Sequence, residues 1–327
     1  MSLQPRSTYV DIDGNPVHLA DYGGAADLPT VVCVHGLAGS HANWRAVAAS
    51  LTPHCRVLAV DLPGHGRTPR HGRSAAVSAN RLVLDRLLKD VIGEPVMLMG
   101  HSMGATLSIL QAAAEPTTVS ALTLIAPPVP RARVEVPTRL VASQIALCAW
   151  PWLGRRRLSR QLQRMGAAGF VQARLLRTCA SLDTIDQLTL DLVVELVESR
   201  AAGEDAEAAF VEAARSMGLL VARGPSYRRA LAGVTCPTLL LHGDSDRLLR
   251  HQALSRLVDL QPQWRVQLLQ GVGHSPHLEA PQLTMELVLD HLRAAVIARC
   301  TPVVEDGSSL NALAAAAVGG SELPCAV

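Results

Sequence analysis

The stretch VMLMGHSMGATLSILQAAA, residues 96–114, sets one serine between two glycines, with an apolar run on each side. The run before the serine indicates a buried strand, and the run after it indicates a helix. The pentapeptide Gly100-His101-Ser102-Met103-Gly104 therefore joins a strand to a helix, where a plain loop would use Asn, Asp or Pro. The flanking segments of the chain repeat this alternation of strand and helix.

Short apolar runs alternate with helical patterns along most of the chain. A β-hairpin is indicated at residues 7–22, which alternate in polarity and contain a Gly-Asn turn. Continuous Val, Leu and Ile strands separated by helices predict an α/β fold, with a mostly parallel central sheet flanked by helices. The other strand-like runs are TVVCVHG (30–36), CRVLAVDLPG (55–64), VSALTLIAP (119–127), TCPTLLLHGDSD (235–246) and WRVQLLQGVGH (264–274).

The strand pattern stops after Pro128 and resumes near Thr235. Residues 129–233 carry helix-like segments and almost no strand signal, so we predict a helical cap inserted after the sixth core strand. The core then consists of residues 1–128 and 234–299. Residues 300–327 are rich in Ala, Gly and Ser, which predicts a disordered tail.

A strand, Gly-x-Ser-x-Gly and a helix together form the pattern of a nucleophile elbow around Ser102. The serine occupies a tight turn with strained backbone angles, and Gly100 and Gly104 provide the space that the closely packed strand and helix need. This geometry exposes the hydroxyl above the carboxyl edge of the sheet. It also directs the N–H of Met103 toward the same point.

A serine hydroxyl is a weak nucleophile, so it needs a base that is oriented by a carboxylate. In this architecture the acid and then the histidine follow the serine along the chain. Asp244 and Asp246 follow the strand that starts near Thr235, and His274 and His277 follow the last strand. The residues alone leave a choice within each pair.

These motifs resemble those of the α/β-hydrolase superfamily, and the resemblance covers about residues 9–298. In that family the acid stands three residues after the glycine that closes its strand, which implies Asp246, and the base belongs to a Gly-His motif, which implies His274. The HGLAGS loop at residues 35–40 resembles the family's His-Gly loop. It implies that the N–H of Leu37 completes an oxyanion hole with that of Met103. DLPGHGRT (61–68) matches a further family turn, with Thr68 where Ser is more usual.

Three residues near the predicted triad have supporting roles in this interpretation. His35 and His101 are expected to be structural or to line the site, where they could hydrogen-bond a substrate. Gly36 belongs to the His-Gly loop.

The serine also restricts the reaction class. Epoxide hydrolases and haloalkane dehalogenases share the fold but need a carboxylate nucleophile, which Ser102 replaces. Acyl transfer to water remains, so we predict a lipase-like carboxylic ester hydrolase that needs no metal or organic cofactor. The Leu, Val and Ala content of the cap favours a fairly apolar small-molecule ester and an aliphatic pocket.

Other functions remain compatible with the same motifs. GHSMG and HSPHLEAP resemble carbon–carbon bond hydrolases of β-diketones as much as they resemble esterases. The same triad also supports cleavage of thioesters, lactones or amides. From a different class, some proteins of this fold bind small ligands without catalysis.

The composition argues against several partners. A net charge of +2 without a basic stripe argues against nucleic acid. Seven scattered cysteines lack metal-ligand spacing and do not suggest a disulfide framework, which fits a reducing compartment. With no signal-peptide pattern and no long apolar run, we expect a cytoplasmic protein.

Residues 150–161, WPWLGRRRLSRQ, combine tryptophans with arginines. Such a mixture suits a membrane interface or an anionic substrate. A solvated helix face that begins after a Pro/Gly turn is the explanation we favour, so membrane contact is not expected here.

Overall fold

The computed structural model describes residues 4–130, 150–201 and 206–300. The predicted tail lies outside the described residues from Thr301 onward, as do residues 131–149 and 202–205 of the predicted cap.

Eight strands form one sheet at the centre of the described chain. In chain order they are Arg6–Ile12 (β1), Asn15–Gly23 (β2), Thr30–Val34 (β3), Arg56–Val60 (β4), Val96–His101 (β5), Val119–Ile125 (β6), Thr238–Gly243 (β7) and Arg265–Leu269 (β8). Their spatial order is β1-β2-β4-β3-β5-β6-β7-β8. Strand β2 is antiparallel to both of its neighbours, β1 and β4, and the pairs from β4 to β8 are all parallel. The mostly parallel sheet predicted from the alternating runs is therefore confirmed.

The β1–β2 hairpin is closed by a two-residue turn. Ile12 pairs with Asn15, so the turn consists of Asp13 and Gly14 and not of the Gly-Asn pair expected from the sequence. Both turn residues have positive φ, 55° and 75°. A turn of this hand matches the right-handed twist of the two strands.

Helices cover both faces of the sheet. In chain order, the α-helices of the described residues, including those of the inserted segment, are Arg45–Leu51 (α1), Val77–Arg86 (α2), Met103–Ala114 (α3), Pro151–Thr178 (α4), Gln187–Ala201 (α5), Ala206–Arg223 (α6), Pro225–Ala232 (α7), Ser255–Leu260 (α8), Pro276–Glu279 (α9) and Pro281–Cys300 (α10). A π-helical segment, Leu87–Ile92, extends α2.

The alternation of side chains in each central strand supplies two cores. In β3, Val32 and Val34 join a core with α2, α3, α7 and α8, whereas Val31 and Cys33 join a core with α1 and α10. All five residues of β3 are buried, because a parallel strand inside such a sheet is covered on both faces. Each fully buried valine or leucine contributes about 1.5–3 kcal/mol to folding.

The N-terminus of α3 packs unusually close to the sheet. A Cβ built on Gly104 would lie 1.9 Å from the carbonyl oxygen of Val34, and one built on Gly100 would lie 2.5 Å from the carbonyl oxygen of Gly104. Neither position has room for a larger residue. The two glycines therefore allow β5, β3 and α3 to meet at Ser102, which stands between β5 and α3.

Three helices, α4, α5 and α6, lie between β6 and β7 in the chain and form the cap as the term is used below. Helix α4 is interrupted at Gly166, whose φ of 67° is not helical. Among the described residues, three ion pairs join the cap segment to the core: Arg45 with Asp186, Arg67 with Glu195, and Arg70 with Glu212.

Helix α7 packs with the core although it falls within the segment predicted as cap. Tyr227 and Leu231 are fully buried in the core that includes α3. The Tyr227 hydroxyl donates a hydrogen bond to the carbonyl of Pro128, 3.0 Å away. The boundary at residue 233 stays a prediction.

Replacing Gly104 by alanine should lower the free energy of unfolding by about 3 kcal/mol, because the added methyl group overlaps the Val34 carbonyl. Gly218→Ala is the matched control. Gly218 lies inside α6 with nothing within 4 Å of an added Cβ, so this change should raise stability by about 0.5–1 kcal/mol. The midpoints of urea denaturation measure both effects, provided that the dependence of the unfolding free energy on urea concentration (the m-value) is unchanged. Equal effects of the two substitutions would contradict the close packing at Gly104.

Candidate active site

Ser102 occupies a strained turn at the end of β5. Its φ of 52° and ψ of −109° lie outside the helical and extended regions. Few non-glycine residues adopt a positive φ, and such strain is concentrated at functional sites. The turn is held by the Ser102 N–H, which donates to the carbonyl of Ile125 at 2.9 Å, and by the Ser102 carbonyl, which accepts from Thr106 at 3.1 Å.

His274 is hydrogen-bonded to a buried carboxylate. Its Nδ1 lies 2.7 Å from Oδ2 of Asp246, and both side chains are almost fully buried. The other carboxylate oxygen, Oδ1, accepts the N–H groups of Leu248 and Leu249 at 2.7 and 2.9 Å. Burial alone would raise the pKa of Asp246, but the charge and hydrogen bond of His274 bring it below the ordinary value. The carboxylate thus stays ionised and fixes the ring of His274.

Asp244, the other candidate acid, has a different role. Its Oδ1 accepts the N–H of Gly271 at 2.8 Å and the hydroxyl of Ser245 at 2.9 Å. Asp244 therefore holds the turn after β8, whereas Asp246 contacts the histidine.

Ser102 and His274 line the same cavity, which has a volume of about 250 Å³. Leu37, Gly36 and His101 line it too. Of the remaining predicted residues, Gly100, Gly104 and His35 pack behind this surface, and Met103 is buried beneath it.

Two backbone N–H groups belong to the predicted oxyanion site. Met103 is the first residue of α3, so its N–H has no acceptor within the helix. Leu37 stands in a tight turn in which Gly39 donates to the carbonyl of Gly36 at 2.9 Å and Ala38 has a φ of 61°. The helix N-terminus and this turn both border the cavity.

His101 and His277 pack as uncharged rings beside His274. The His101 ring centroid lies 4.9 Å from that of His274 and 4.5 Å from that of His277, and His101 Nε2 lies 3.0 Å from the carbonyl oxygen of His274. Burial lowers the pKa of His277 to about 3. Burial also holds the pKa of His101 well below its usual range, and electrostatic repulsion from His277 and His274 acts in the same direction. Trp44 covers His277 on its other side, with centroids 4.7 Å apart.

His35 is a structural residue in this geometry. The N–H of Leu62 lies 3.1 Å from its Nε2, and its Nδ1 lies 2.8 Å from the carbonyl oxygen of Gly36. Burial lowers the pKa of His35 to about 4, so the ring is neutral and joins the His-Gly loop to the segment after β4.

Asp61 forms a second buried cluster with two histidines. Its Oδ2 lies 2.8 Å from Nδ1 of His18 and 2.7 Å from Nδ1 of His41. Among the described residues, these three side chains stand close enough together to be considered as metal ligands. The carboxylate also accepts the N–H groups of His41 at 2.6 Å and Arg67 at 2.8 Å. It therefore already has four donors, and it organises the turn at residues 61–68.

Glu279 anchors the loop that carries His274. Its carboxylate accepts three backbone N–H groups, from Ala180 at 2.7 Å, Gly273 at 3.0 Å and Ser275 at 3.0 Å. The His274 N–H also donates to the carbonyl of Thr178 at 2.9 Å. Because Thr178 ends α4, the loop that carries His274 is fastened to the cap as well as to the core.

The cap supplies cavity residues that the sequence analysis did not identify. Four arginines line the cavity, together with both phenylalanines of the chain and several aliphatic residues. The arginines are Arg157, Arg174, Arg177 and Arg200, and the phenylalanines are Phe170 and Phe210. The predicted aliphatic lining is present, but it is joined by aromatic rings and positive charges.

The Trp- and Arg-rich segment at residues 150–161 lies largely at the surface. Trp150 and Trp152 are 61% and 64% exposed, whereas Gly154 and Leu158 are buried. No helix in the described ranges combines the length and apolar character needed to cross a membrane.

The comparisons with known proteins agree with this fold. The chain belongs to the alpha/beta hydrolase fold family, whose model matches residues 29–281. It is 26% identical to the sn-1-specific diacylglycerol lipase ABHD11 of Mus musculus over 82% of each protein. It is also 26% identical to the pimeloyl-[acyl-carrier protein] methyl ester esterase of Yersinia pseudotuberculosis serotype O:1b (strain IP 31758), over 82% of this chain and 93% of that protein.

A solved structure shows the same fold at lower identity. Cfl2 of Burkholderia cenocepacia matches with a TM-score of 0.74 at 22% identity, over 89% of this chain and 96% of that one. The α/β-hydrolase fold implied by the sequence motifs is confirmed.

Substituting Glu279 by glutamine should lower the free energy of unfolding by about 2 kcal/mol, because the amide offers one acceptor oxygen to three N–H donors. Glu286→Gln, on the exposed face of α10, should change stability by less than about 0.5 kcal/mol. Chemical denaturation of both variants provides the measurement. A Glu279 variant as stable as the Glu286 variant would rule out the anchoring role.

Proposed function

We propose that this protein is a serine hydrolase that cleaves a carboxylic ester through an acyl-enzyme on Ser102. The observation that carries the proposal is the hydrogen-bonded pair of His274 and Asp246, which stands at the same cavity as a serine held at positive φ. A nucleophile, a base and an orienting acid are thereby available in one site. The similar proteins named as a lipase and an esterase support ester bonds as the target.

The first half of the proposed reaction forms the acyl-enzyme. Ser102 Oγ attacks the ester carbonyl carbon while Nε2 of His274 takes the hydroxyl proton. Asp246 Oδ2 stabilises the resulting imidazolium through the hydrogen bond to Nδ1. The tetrahedral intermediate then collapses, the ester C–O bond breaks, and His274 returns the proton to the departing alcohol.

The second half releases the acid. A water molecule loses a proton to His274 and attacks the acyl carbon, and the bond to Ser102 Oγ breaks as the proton returns to the serine. Groups of this chain supply the nucleophile, the base, the acid and the oxyanion donors, so every step of the proposed cycle is assigned without a metal or an organic cofactor.

Stabilisation of the oxyanion is assigned to the N–H groups of Leu37 and Met103. The helix N-terminus at Met103 adds favourable electrostatics for a developing negative charge. Each such donor contributes on the order of 3 kcal/mol to transition-state stabilisation. Since both donors are backbone groups, their position depends on the turns around them and not on a rotamer.

The proposed setting is the cytoplasm, with a small-molecule ester as substrate and no nucleic acid as partner. Four cysteines in the described part of the chain are free thiols, which supports a reducing compartment. The aliphatic and aromatic wall of the cavity supports an acyl or alkyl chain as one part of the substrate.

A series of p-nitrophenyl esters of increasing acyl length tests the proposed activity, with Ser102→Ala as the inactive reference. Wild type should show serine-dependent turnover with an optimum chain length, because the cavity is of limited volume. If wild type does not exceed Ser102→Ala with any ester, the ester hydrolase proposal fails. Carbon–carbon hydrolysis or simple ligand binding would then be the functions to test.

The two aspartates provide a sharper test of the triad. Asp246→Asn should lower kcat on the order of 10³- to 10⁴-fold. A neutral amide neither fixes the tautomer of His274 nor stabilises the imidazolium that forms when His274 takes the serine proton. Asp244→Asn, two residues away in the same loop, should change kcat less than about fivefold, since the Asp244 carboxylate accepts hydrogen bonds from Gly271 and Ser245 and not from His274. Initial rates at saturating ester measure both variants. A larger loss in the Asp244 variant would transfer the acid role to that residue.

A further inference from the structure

Four arginines make the described wall of the cavity positively charged. Arg157, Arg174 and Arg177 come from α4, and Arg200 comes from α5. No aspartate or glutamate is among the described residues that line the cavity. Arg174 and Arg200 are half-buried, whereas Arg157 and Arg177 are exposed at the surface.

The inner two arginines have no carboxylate partner among the described residues. Arg174 packs instead on aromatic rings, with its Cζ 4.7 Å from the ring centre of Phe210 and 5.5 Å from that of Phe170. Arg200 donates from Nε to the carbonyl of Leu196 at 3.1 Å. These contacts orient the guanidinium groups but leave donors available, since each guanidinium carries five N–H groups.

The cluster is electrostatically unfavourable as it stands. Burial, followed by the charges of Arg200 and Arg177, lowers the pKa of Arg174 to about 10. Burial also lowers the pKa of Arg200, although Asp61 and Glu207 act in the opposite direction. Both groups remain cationic at neutral pH. Positive charges that are collected at a cavity whose described lining holds no carboxylate are expected where an anion binds.

We propose that Arg174 and Arg200 form an anion-binding subsite in the cavity that Ser102 and His274 line. Under the proposed function, which this inference deepens, the substrate is an ester that carries a carboxylate or a phosphate at the end remote from the scissile bond. Arginine suits both anions because its planar fork donates two parallel hydrogen bonds. Arg157 and Arg177, nearer the surface, attract the anion as it enters.

The apolar residues of the cavity indicate an acyl chain between the two polar ends of the substrate. Leu158, Val171, Leu175 and Val197 line the cavity along with the arginines. An acyl chain contacts these side chains between the ester carbon and the terminal anion. The inferred substrate is therefore amphipathic, whereas the sequence favoured a fairly apolar ester.

Matched esters test the subsite by kinetics. The mono-p-nitrophenyl esters of adipate, suberate and sebacate are compared with the same esters in which the distal carboxylate is a neutral carboxamide. Wild type should show a kcat/KM at least about tenfold higher for the best anionic ester, because a hydrogen-bonded charge pair contributes more than a neutral amide contact. A third set with a terminal phosphonate separates preference for phosphate-like anions from preference for carboxylates.

Substitution by methionine identifies which arginines cause the preference for anionic esters. Arg174→Met and Arg200→Met keep the aliphatic stem and remove the charge, so each should reduce the anionic preference and the double variant should abolish it. The readout is the ratio of kcat/KM for each anionic ester to kcat/KM for its carboxamide counterpart, which should fall toward one. Arg160→Met is the matched control, because Arg160 is exposed on α4 and does not line the cavity. Thermal unfolding checks the fold, and removal of like charges should leave Tm unchanged or higher.

Binding to Ser102→Ala separates this inference from the proposed function. Calorimetric titration with suberate monomethyl ester should show binding that is lost in the Ser102→Ala/Arg174→Met/Arg200→Met chain. If this arginine-dependent binding occurs but wild type hydrolyses no ester, the subsite stands and the proposed hydrolase function fails. If wild type hydrolyses esters through Ser102 without preferring the anionic ones, or if Arg160→Met loses the preference equally, the subsite is wrong and the hydrolase function stands.

Discussion

The close approach of α3 to β3 is the constraint on which the rest of the site depends. The Cα of Gly104 faces the carbonyl of Val34 with no space for a side chain. That contact forces the chain between β5 and α3 into a turn so tight that Ser102 adopts a φ of 52°. The strain at one residue is sustained because buried strands and helices on both sides are packed around it. The same contact brings the N-terminus of α3 next to the His-Gly loop, where the oxyanion site is proposed.

The proposed site also depends on the loop around His274, which is hydrogen-bonded both to the core and to the cap. Asp246 holds the ring of His274 from the end of β7, and Glu279 holds the backbone on either side of it. Glu279 and Thr178 also tie this loop to the end of α4. The loop that carries the proposed base is therefore hydrogen-bonded both to the core and to the cap helix that lines the cavity.

The core strands and the turn at Ser102 could be predicted from the sequence because both depend on residues that are close together along the chain. Buried parallel strands are continuous apolar runs, and the glycines beside Ser102 are required by local geometry. The acid was ambiguous from the sequence, since Asp244 and Asp246 lie in one loop. Only the hydrogen bonds distinguish the aspartate that holds a turn from the aspartate that holds His274.

The charged wall of the cavity could not be predicted in the same way. An arginine in a helical pattern ordinarily indicates a solvated face, and which face of a cap helix turns inward depends on tertiary packing. One signal was available, because Phe170 and Arg174 stand four residues apart and so share a face of α4. Its significance depends on Arg200 and Phe210, which come from other helices and meet Arg174 only in the folded chain.

Whether Ser102 is the nucleophile, as we propose, is measured by mass spectrometry after treatment with a fluorophosphonate. We expect a single covalent adduct per chain, located by peptide mapping on Ser102, and much slower labelling of Asp246→Asn. No adduct on the native wild-type protein, or an adduct on a residue other than Ser102, would contradict it.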